Sequence, residues 1–143
     1  MSNPARNRGF SLVELLLVLA VIGILGGIAI PSFLGQRKRA RVIGDAQSNA
    51  RVLAMALESR KADAGLYGTA GTNQSWTASG GFPSASTSLA PTFTPKGNSQ
   101  MNFLVNVAGS GLTYSITVTD PNRGGATVLT ANQTGAITVS STY

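Results

Sequence analysis

The sequence predicts an α+β fold in which one long N-terminal helix packs on a four-stranded antiparallel sheet. Three observations lead to this prediction. The chain begins with an apolar run over residues 10–30, the segment after it repeats apolar residues with a helical period, and residues 101–143 alternate apolar and polar side chains as strands do. Beyond the apolar run, the rest of the 143 residues suffices for one small globular head and not for two.

The apolar run contains a single charge, on Glu14. A helix rises about 1.5 Å per residue, so the stretch from Phe10 to Ile30 is long enough to cross a hydrocarbon core of roughly 30 Å. A carboxylate inside such a span costs about 3 kcal/mol on insertion scales and is usually retained because it has a partner. Glu14 is therefore the first candidate functional residue.

Residues 37–64 read as an amphipathic helix that follows the apolar run. Its apolar positions step by three and four residues and form one narrow stripe: Ile43, Ala46, Ala50, Leu53 and Leu57. The pattern ends at Gly65, which can take a left-handed conformation without strain. The stripe is expected to pack on another part of the head.

Residues 65–100 are rich in Gly, Ser, Thr and Pro, which predicts a long surface loop. Trp76, Phe82 and Phe93 are expected to attach this loop to the head. Two glycosylation-like triplets, starting at Asn73 and at Asn132, are better interpreted as turns, because three residues are a weak signal.

Residues 101–143 carry four segments with a period of two, separated by turn-forming residues. The predicted strands cover residues 101–107, 112–118, 127–130 and 136–140. Short connections favour an antiparallel meander, whose apolar face would cover the helical stripe.

The composition argues against an enzyme, a cofactor or a metal site. The chain has no His and no Cys, and its five carboxylates are far apart in sequence: Glu14, Asp45, Glu58, Asp63 and Asp120. The sequence leaves open a spatial pairing of Glu58 or Asp63 with Asp120, and a calcium ion held by Asp120 with Asn122 is weakly supported. We therefore expect a structural protein.

The N-terminal segment resembles the prepilin signature of type IV pilins and of the related type II secretion pseudopilins. The resemblance covers residues 6–36: the bases Arg6 and Arg8, the Gly9-Phe10 pair, Glu14 five residues into the run from Phe10, the apolar helix, and Pro31. It implies a leader of residues 1–9 removed after Gly9, and N-methylation of Phe10. Residues 10–36 would then be the transmembrane and assembly helix, and residues 37–143 the globular head of a pilin fold.

The resemblance also implies a function and a set of partners. The chain would polymerise into a type IV pilus as a helical homopolymer, with Glu14 neutralising the Phe10 amino group of a neighbouring subunit. The implied partners are a prepilin peptidase and methylase, the inner-membrane pilus assembly machinery, and the membrane before assembly. Two alternatives stay open: a major pseudopilin, favoured by bound calcium, and a DNA-binding competence pilin, favoured by salt-dependent DNA binding.

The net charge of +6 decides little between these alternatives. Nucleic acid is a partner that the charge allows but that no motif supports, because the one basic cluster, Arg37 to Arg41, follows the span as a headgroup-facing flank would. Counting bases alone would place this flank in the cytoplasm. The resemblance implies the opposite orientation, with a cytoplasmic leader and a periplasmic head that later reaches the cell surface. We adopt this orientation because the Gly9-Phe10 cleavage junction would have no function on the periplasmic side of the membrane.

Gly23, Gly26, Gly27 and Pro31 support two interpretations that can coexist. The spacing of Gly23 and Gly27 is typical of close helix packing. Pro31 removes a hydrogen bond to the Gly27 carbonyl, and together with the glycines it would weaken the helix, so the resemblance implies that this segment extends in a filament.

Overall fold

The structure is a computed structural model that describes residues 9–69, 71–77, 89–97 and 100–143. It contains one helix, five strands and a short 3-10 turn in the following order: α1 (Leu12–Ala64), β1 (Asn73–Trp76), β2 (Asn102–Val107), β3 (Tyr114–Asp120), the turn Pro121–Arg123, β4 (Ala126–Asn132) and β5 (Ile137–Val139). The chain divides into two compact units, residues 1–38 and 39–143, which are described separately below. The predicted α+β class with a long N-terminal helix is confirmed, and the predicted number of four strands is wrong.

Helix α1 ends where the sequence predicts. Ala64 is its last residue, and Gly65 follows with a φ of +78°. The Gly65 amide donates to the Lys61 carbonyl over 2.8 Å, which satisfies one of the carbonyls that a helix leaves open at its end. Glycine is suited to this position because a side chain strains the left-handed conformation.

The five strands form one antiparallel meander in chain order, β1-β2-β3-β4-β5. A bulge in β4 interrupts the β3–β4 register beside Val118 and Thr119, and as a result both Val128 and Leu129 are buried. The extra strand is β1, which pairs with β2 from Asn73 opposite Asn106 to Trp76 opposite Phe103.

The Gly, Ser, Thr and Pro content of residues 65–100 predicts a loop where β1 lies, and the triplet at Asn73 predicts a turn. The side chains nevertheless alternate, since Gln74 and Trp76 are buried while Asn73 and Ser75 are exposed. The turn prediction is therefore wrong at Asn73. It is correct at Asn132, whose Oδ1 accepts from the Thr134 amide over 3.1 Å and from the Thr134 hydroxyl over 2.6 Å.

The core of the second unit lies between α1 and the inner face of the sheet. Four residues of the predicted stripe are fully buried: Ala46, Ala50, Leu53 and Leu57. Ile43 is only partly buried, and Val42 beside it is buried instead. The sheet contributes alternate strand residues such as Phe103, Ile116 and Val118 to the same cluster, so the meander covers the helical stripe as predicted.

Two aromatic residues attach the segment between α1 and β2 to this core. The rings of Trp76 and Phe93 meet edge to face with centroids 5.5 Å apart, and Phe93 meets Phe103 in the same way at 5.4 Å. The predictions for Trp76 and Phe93 are confirmed, whereas Phe82 lies outside the described residues.

The buried side-chain amide of Asn49, on α1, also fixes the segment between α1 and β2. The Asn49 side chain donates to the Lys96 carbonyl over 2.7 Å and accepts from the Lys96 amide over 2.8 Å. Next to it, Gly97 has a φ of +103°, and a side chain there would come within 2.6 Å of the Asp45 carboxyl carbon. The pair of hydrogen bonds satisfies a buried polar side chain and fixes residues 93–97 on the helix.

Candidate functional site

The first turn of α1 is closed by Ser11 and Glu14. The Ser11 hydroxyl accepts from the Val13 amide over 3.4 Å, and Oε2 of Glu14 accepts from the Ser11 amide over 3.2 Å. This arrangement is a variant of the capping box in which the Ser11 hydroxyl accepts from the second amide of the helix, and it satisfies amides that a helix start leaves without partners. The carboxylate is thereby held next to the backbone of residue 11.

The role of Ser11 is absent from the sequence analysis, although a signal for it exists. A Ser followed three residues later by Glu, directly before an apolar run, is a sequence signature of a helix start. The charge on Glu14 predicts a partner on another molecule, whereas the structure shows a partner within the same turn, the Ser11 amide. In the single chain, therefore, Glu14 is not an unsatisfied carboxylate.

The predicted cleavage junction lies just outside the helix. Gly9 and Phe10 precede α1 and are exposed, with Phe10 85% exposed. A peptidase needs an accessible peptide bond, and the exposure of both residues makes the Gly9–Phe10 bond accessible in the structure. The remaining leader, residues 1–8, lies outside the described residues, so the bases Arg6 and Arg8 are known only from the sequence.

The apolar side chains of α1 from Leu12 to Ile28 are exposed in the part of the chain that the structure describes. Its large apolar side chains are mostly half or more exposed, from Leu12 at 75% to Ile28 at 73%. By length and composition this is the one helix among the described residues that could cross a membrane, and none of its apolar window is buried. A continuous apolar surface of this extent requires either lipid or other protein chains around it.

The predicted small residues of this segment all lie within α1. A Cβ placed on Gly23, Gly26 or Gly27 meets nothing within 4 Å, so no contact with the described residues requires glycine at these positions. The helix continues without a break through Pro31. The loss of helix expected around Gly23, Gly26, Gly27 and Pro31 therefore stays a prediction about the assembled state.

Basic residues follow this segment. Arg37, Lys38, Arg39 and Arg41 are all exposed, as a solvent-facing or headgroup-facing flank requires. The cluster lies on both sides of the boundary between the two compact units.

The carboxylates of the head have hydrogen-bond partners of their own. Glu58 Oε1 accepts from the Tyr67 hydroxyl over 2.8 Å and lies 3.5 Å from the Tyr114 hydroxyl. Buried Asp120 accepts from the Asn122 amide through one oxygen, over 2.8 Å, and from the Tyr143 hydroxyl through the other, over 2.6 Å. Glu58 and Asp120 therefore each have a tyrosine hydroxyl as a hydrogen-bond partner, from Tyr67 and Tyr143 respectively. Among the described residues no three potential metal ligands of the His, Cys, Asp or Glu type lie together.

All three tyrosines of the chain have raised pKa values. Burial is the main cause for Tyr67, Tyr114 and Tyr143, and the adjacent carboxylates Glu58 and Asp120 add to it. The unfolded chain would lose these protons near pH 10, whereas the folded head keeps them. Each tyrosine therefore leaves stability unchanged below about pH 10 and lowers it as the pH rises further.

We accordingly expect less phenolate absorbance in the folded head than in the unfolded chain at a pH of about 10. In an ultraviolet pH titration followed together with circular dichroism, the phenolate signal of the folded head should appear at a higher pH than that of the same protein in denaturant. Equal phenolate absorbance of the folded and the denatured protein near pH 10, with the circular dichroism signal of the folded head intact, would contradict this arrangement of the tyrosines.

Comparison with known proteins agrees with the N-terminal geometry. Residues 4–30 match the family described as the prokaryotic N-terminal methylation motif, so the resemblance to prepilins is confirmed for this segment. The chain is 47% identical over 57 residues to the type IV major pilin protein PilA of Myxococcus xanthus. It is 54% identical over 33 residues to the type IV wide pilus major component PilA4 of Thermus thermophilus.

These similarities cover a limited part of each protein. The first spans 40% of this chain and the second 23%, and each spans 25% of the relative. No solved structure shows a significant match to the chain.

Proposed function

We propose that the chain is a structural subunit of a type IV pilus and not an enzyme. The observation that carries the proposal is an exposed apolar helix that begins with a capped carboxylate, directly after a peptide bond in the prokaryotic methylation motif. Both named relatives are pilus components. On assembly, each helix leaves the membrane and packs against the helices of other copies in place of lipid. The copies together form a helical homopolymer.

The peptidase step creates the charge that assembly uses. Hydrolysis of the Gly9–Phe10 bond leaves a carboxylate on Gly9 and an amino group on Phe10. A sulfonium methyl donor then transfers its methyl group to that nitrogen, which loses a proton, and the donor leaves as a thioether. In the filament interior an unpaired ammonium would cost several kcal/mol. The Glu14 carboxylate of a neighbouring subunit neutralises it, and this pairing sets the register between subunits.

The capping box adds a step to this mechanism. Because Glu14 already accepts from the Ser11 amide, the neighbour's amino group competes with a local contact worth about 1 kcal/mol. A charge-assisted pair in a dry environment is stronger than such a contact. The free subunit therefore carries its carboxylate in a satisfied state and exchanges partners on assembly.

The location of the chain changes during this process. The precursor lies in the inner membrane with its leader in the cytoplasm and its head in the periplasm, where the peptidase and methylase and the assembly machinery act on it. The mature chain then becomes part of an extracellular pilus. Gly23, Gly26, Gly27 and Pro31 allow the helix to lose hydrogen bonds and extend where subunits meet.

Removal of the helix tests the proposal. A strain lacking the gene should lose its long surface fibres, and the full chain should restore them. A fragment of residues 37–143, exported by a separate signal, should be soluble and monomeric and should restore none, because the stripe of α1 is already covered by the sheet. Fibres built from this fragment would contradict assembly through the helix.

A further inference from the structure

The outer face of the sheet is polar and carries no charge in any of the described strands. Apart from Leu104, each outward-facing residue is an Asn, a Ser or a Thr: Asn73, Ser75, Asn102, Asn106, Ser115, Thr117, Thr119, Thr127, Thr130, Asn132 and Thr138. Soluble protein surfaces usually carry about a quarter to a third of charged residues. The chain has 16 charged residues in total, 11 basic and five acidic, and this face excludes them.

The outward residues form rows across the sheet because the strands are in register. Asn106 lies opposite Ser115, and Ser115 lies opposite Asn132. Neighbouring strands are about 4.8 Å apart, so three adjacent strands present an amide, a hydroxyl and an amide in one line. The next row runs through Thr117, Thr130 and Thr138.

A shallow depression, open to solvent, lies at the Asn106 row. Its lining contains the polar residues Asn106, Thr113, Ser115, Asn132 and Gln133 together with Ala108 and Tyr114. The amides and hydroxyls at this depression can both donate hydrogen bonds to a ligand and accept them from it.

The hydrogen-bonding groups of this row are available. Within the part of the chain that the structure describes, the side chains of Asn106 and Ser115 have no hydrogen-bond partner, and Asn132 uses only its oxygen, for Thr134. An anionic polymer would meet no cation on the described strands of this face, and an apolar partner would meet only Leu104. A neutral polyhydroxylated chain satisfies both amides and hydroxyls without desolvating a charge.

The geometry points to this face, centred on Asn106, Ser115 and Asn132, as a binding site for a neutral polysaccharide. Sugar hydroxyls donate to the amide oxygen of Asn106 and to the Ser115 hydroxyl, and they accept from the amide nitrogens of Asn106 and Asn132. Consecutive sugar units follow the row across the strands. The site belongs to the head alone and does not depend on filament assembly.

Affinity electrophoresis of the full chain tests this inference, in a detergent without a sugar headgroup so that the detergent does not compete. The gels contain dextran, galactomannan or, as the anionic comparison, alginate. We expect retardation by at least one of the two neutral polymers. The net charge of +6 retards the chain in alginate whatever this face binds, so the alginate gel measures the effect of charge alone. Absence of retardation by both neutral polymers would overturn the site.

Variants locate the binding on the face. Asn106→Ala combined with Asn132→Asp removes both amide donors but keeps a side-chain oxygen for Thr134, so the turn is preserved. We expect the dissociation constant to rise about tenfold, with an unchanged unfolding temperature. Ser48→Ala on the exposed side of α1 is the matched control and should stay within about twofold. Unchanged retardation of the double variant contradicts the site, and a change in self-association alone would assign the face to contact between copies instead.

Discussion

Replacing Glu14 with alanine is expected to abolish fibres while leaving processing and membrane insertion intact. The substitution removes the partner of the neighbouring Phe10 amino group, and a buried unpaired charge costs several kcal/mol for each subunit. It also makes the span more apolar, by about 3 kcal/mol on insertion scales, so insertion becomes easier. Immunoblots of membrane and sheared-fibre fractions measure both effects.

The capping box requires a second variant, because Glu14→Ala also removes the acceptor of the Ser11 amide. Glu14→Gln is the matched control, since glutamine supports a capping box but carries no charge. If the charge matters, Glu14→Gln should lose fibres nearly as completely as Glu14→Ala. Near-normal fibre yield from Glu14→Gln would show that the residue acts through the helix start, and normal yield from both would show that the carboxylate has no role in assembly.

Leu53→Ala is expected to have the largest effect on the head, a loss of about 2–5 kcal/mol in the free energy of unfolding. Leu53 is fully buried between α1 and the sheet, so its truncation leaves a cavity in the core. A domain of this size has about 5–15 kcal/mol of total stability, and this loss is a large part of it. Urea unfolding of the 37–143 fragment measures the change.

Met55→Ala is the matched control on the same helix. Met55 is 71% exposed, and its truncation should change the unfolding free energy by no more than about 0.5 kcal/mol. Both substitutions introduce alanine into the same helix, so the difference in helix propensity is small. Similar losses for the two variants would contradict the packing of the sheet on the buried stripe.

Much of the fold follows from patterns that are local in sequence. The period of the stripe around Ala46, Ala50, Leu53 and Leu57 identifies the buried side of α1, and Gly65 fixes its end, because both features depend on neighbours within a turn or two. The alternation in β2, β3 and β4 identifies their inner faces for the same reason.

Features that depend on distant partners were harder to predict. Strand β1 has four residues, and its pairing with β2 comes from a contact across more than twenty-five residues of chain. The burial of Val42 in preference to Ile43 depends on where the sheet lies against α1. The tyrosine partners of Glu58 and Asp120 come from other elements, and the sequence offers no spacing that would reveal them.

The features of the candidate site also divide into local ones, which the sequence predicts, and distant ones, which it does not. The sequence predicts Glu14, Gly9 and Phe10, because a charge in an apolar run and a basic leader before it are patterns of neighbouring residues. The capping contact of Ser11 also has a local signal, a Ser and a Glu three residues apart. From the sequence, Glu14 is interpreted only as the partner of another chain, and this signal is not used. The pairing of Glu14 with a neighbour is a property of several chains, so it stays a proposal for the assembled state.

Mass spectrometry of sheared surface filaments tests the central claim most directly. The account predicts that the filaments consist mainly of this chain and that its N-terminal peptide begins at Phe10 with a methyl group on the nitrogen. Filaments that retain residues 1–9, or surface filaments that lack this chain altogether, would contradict the account.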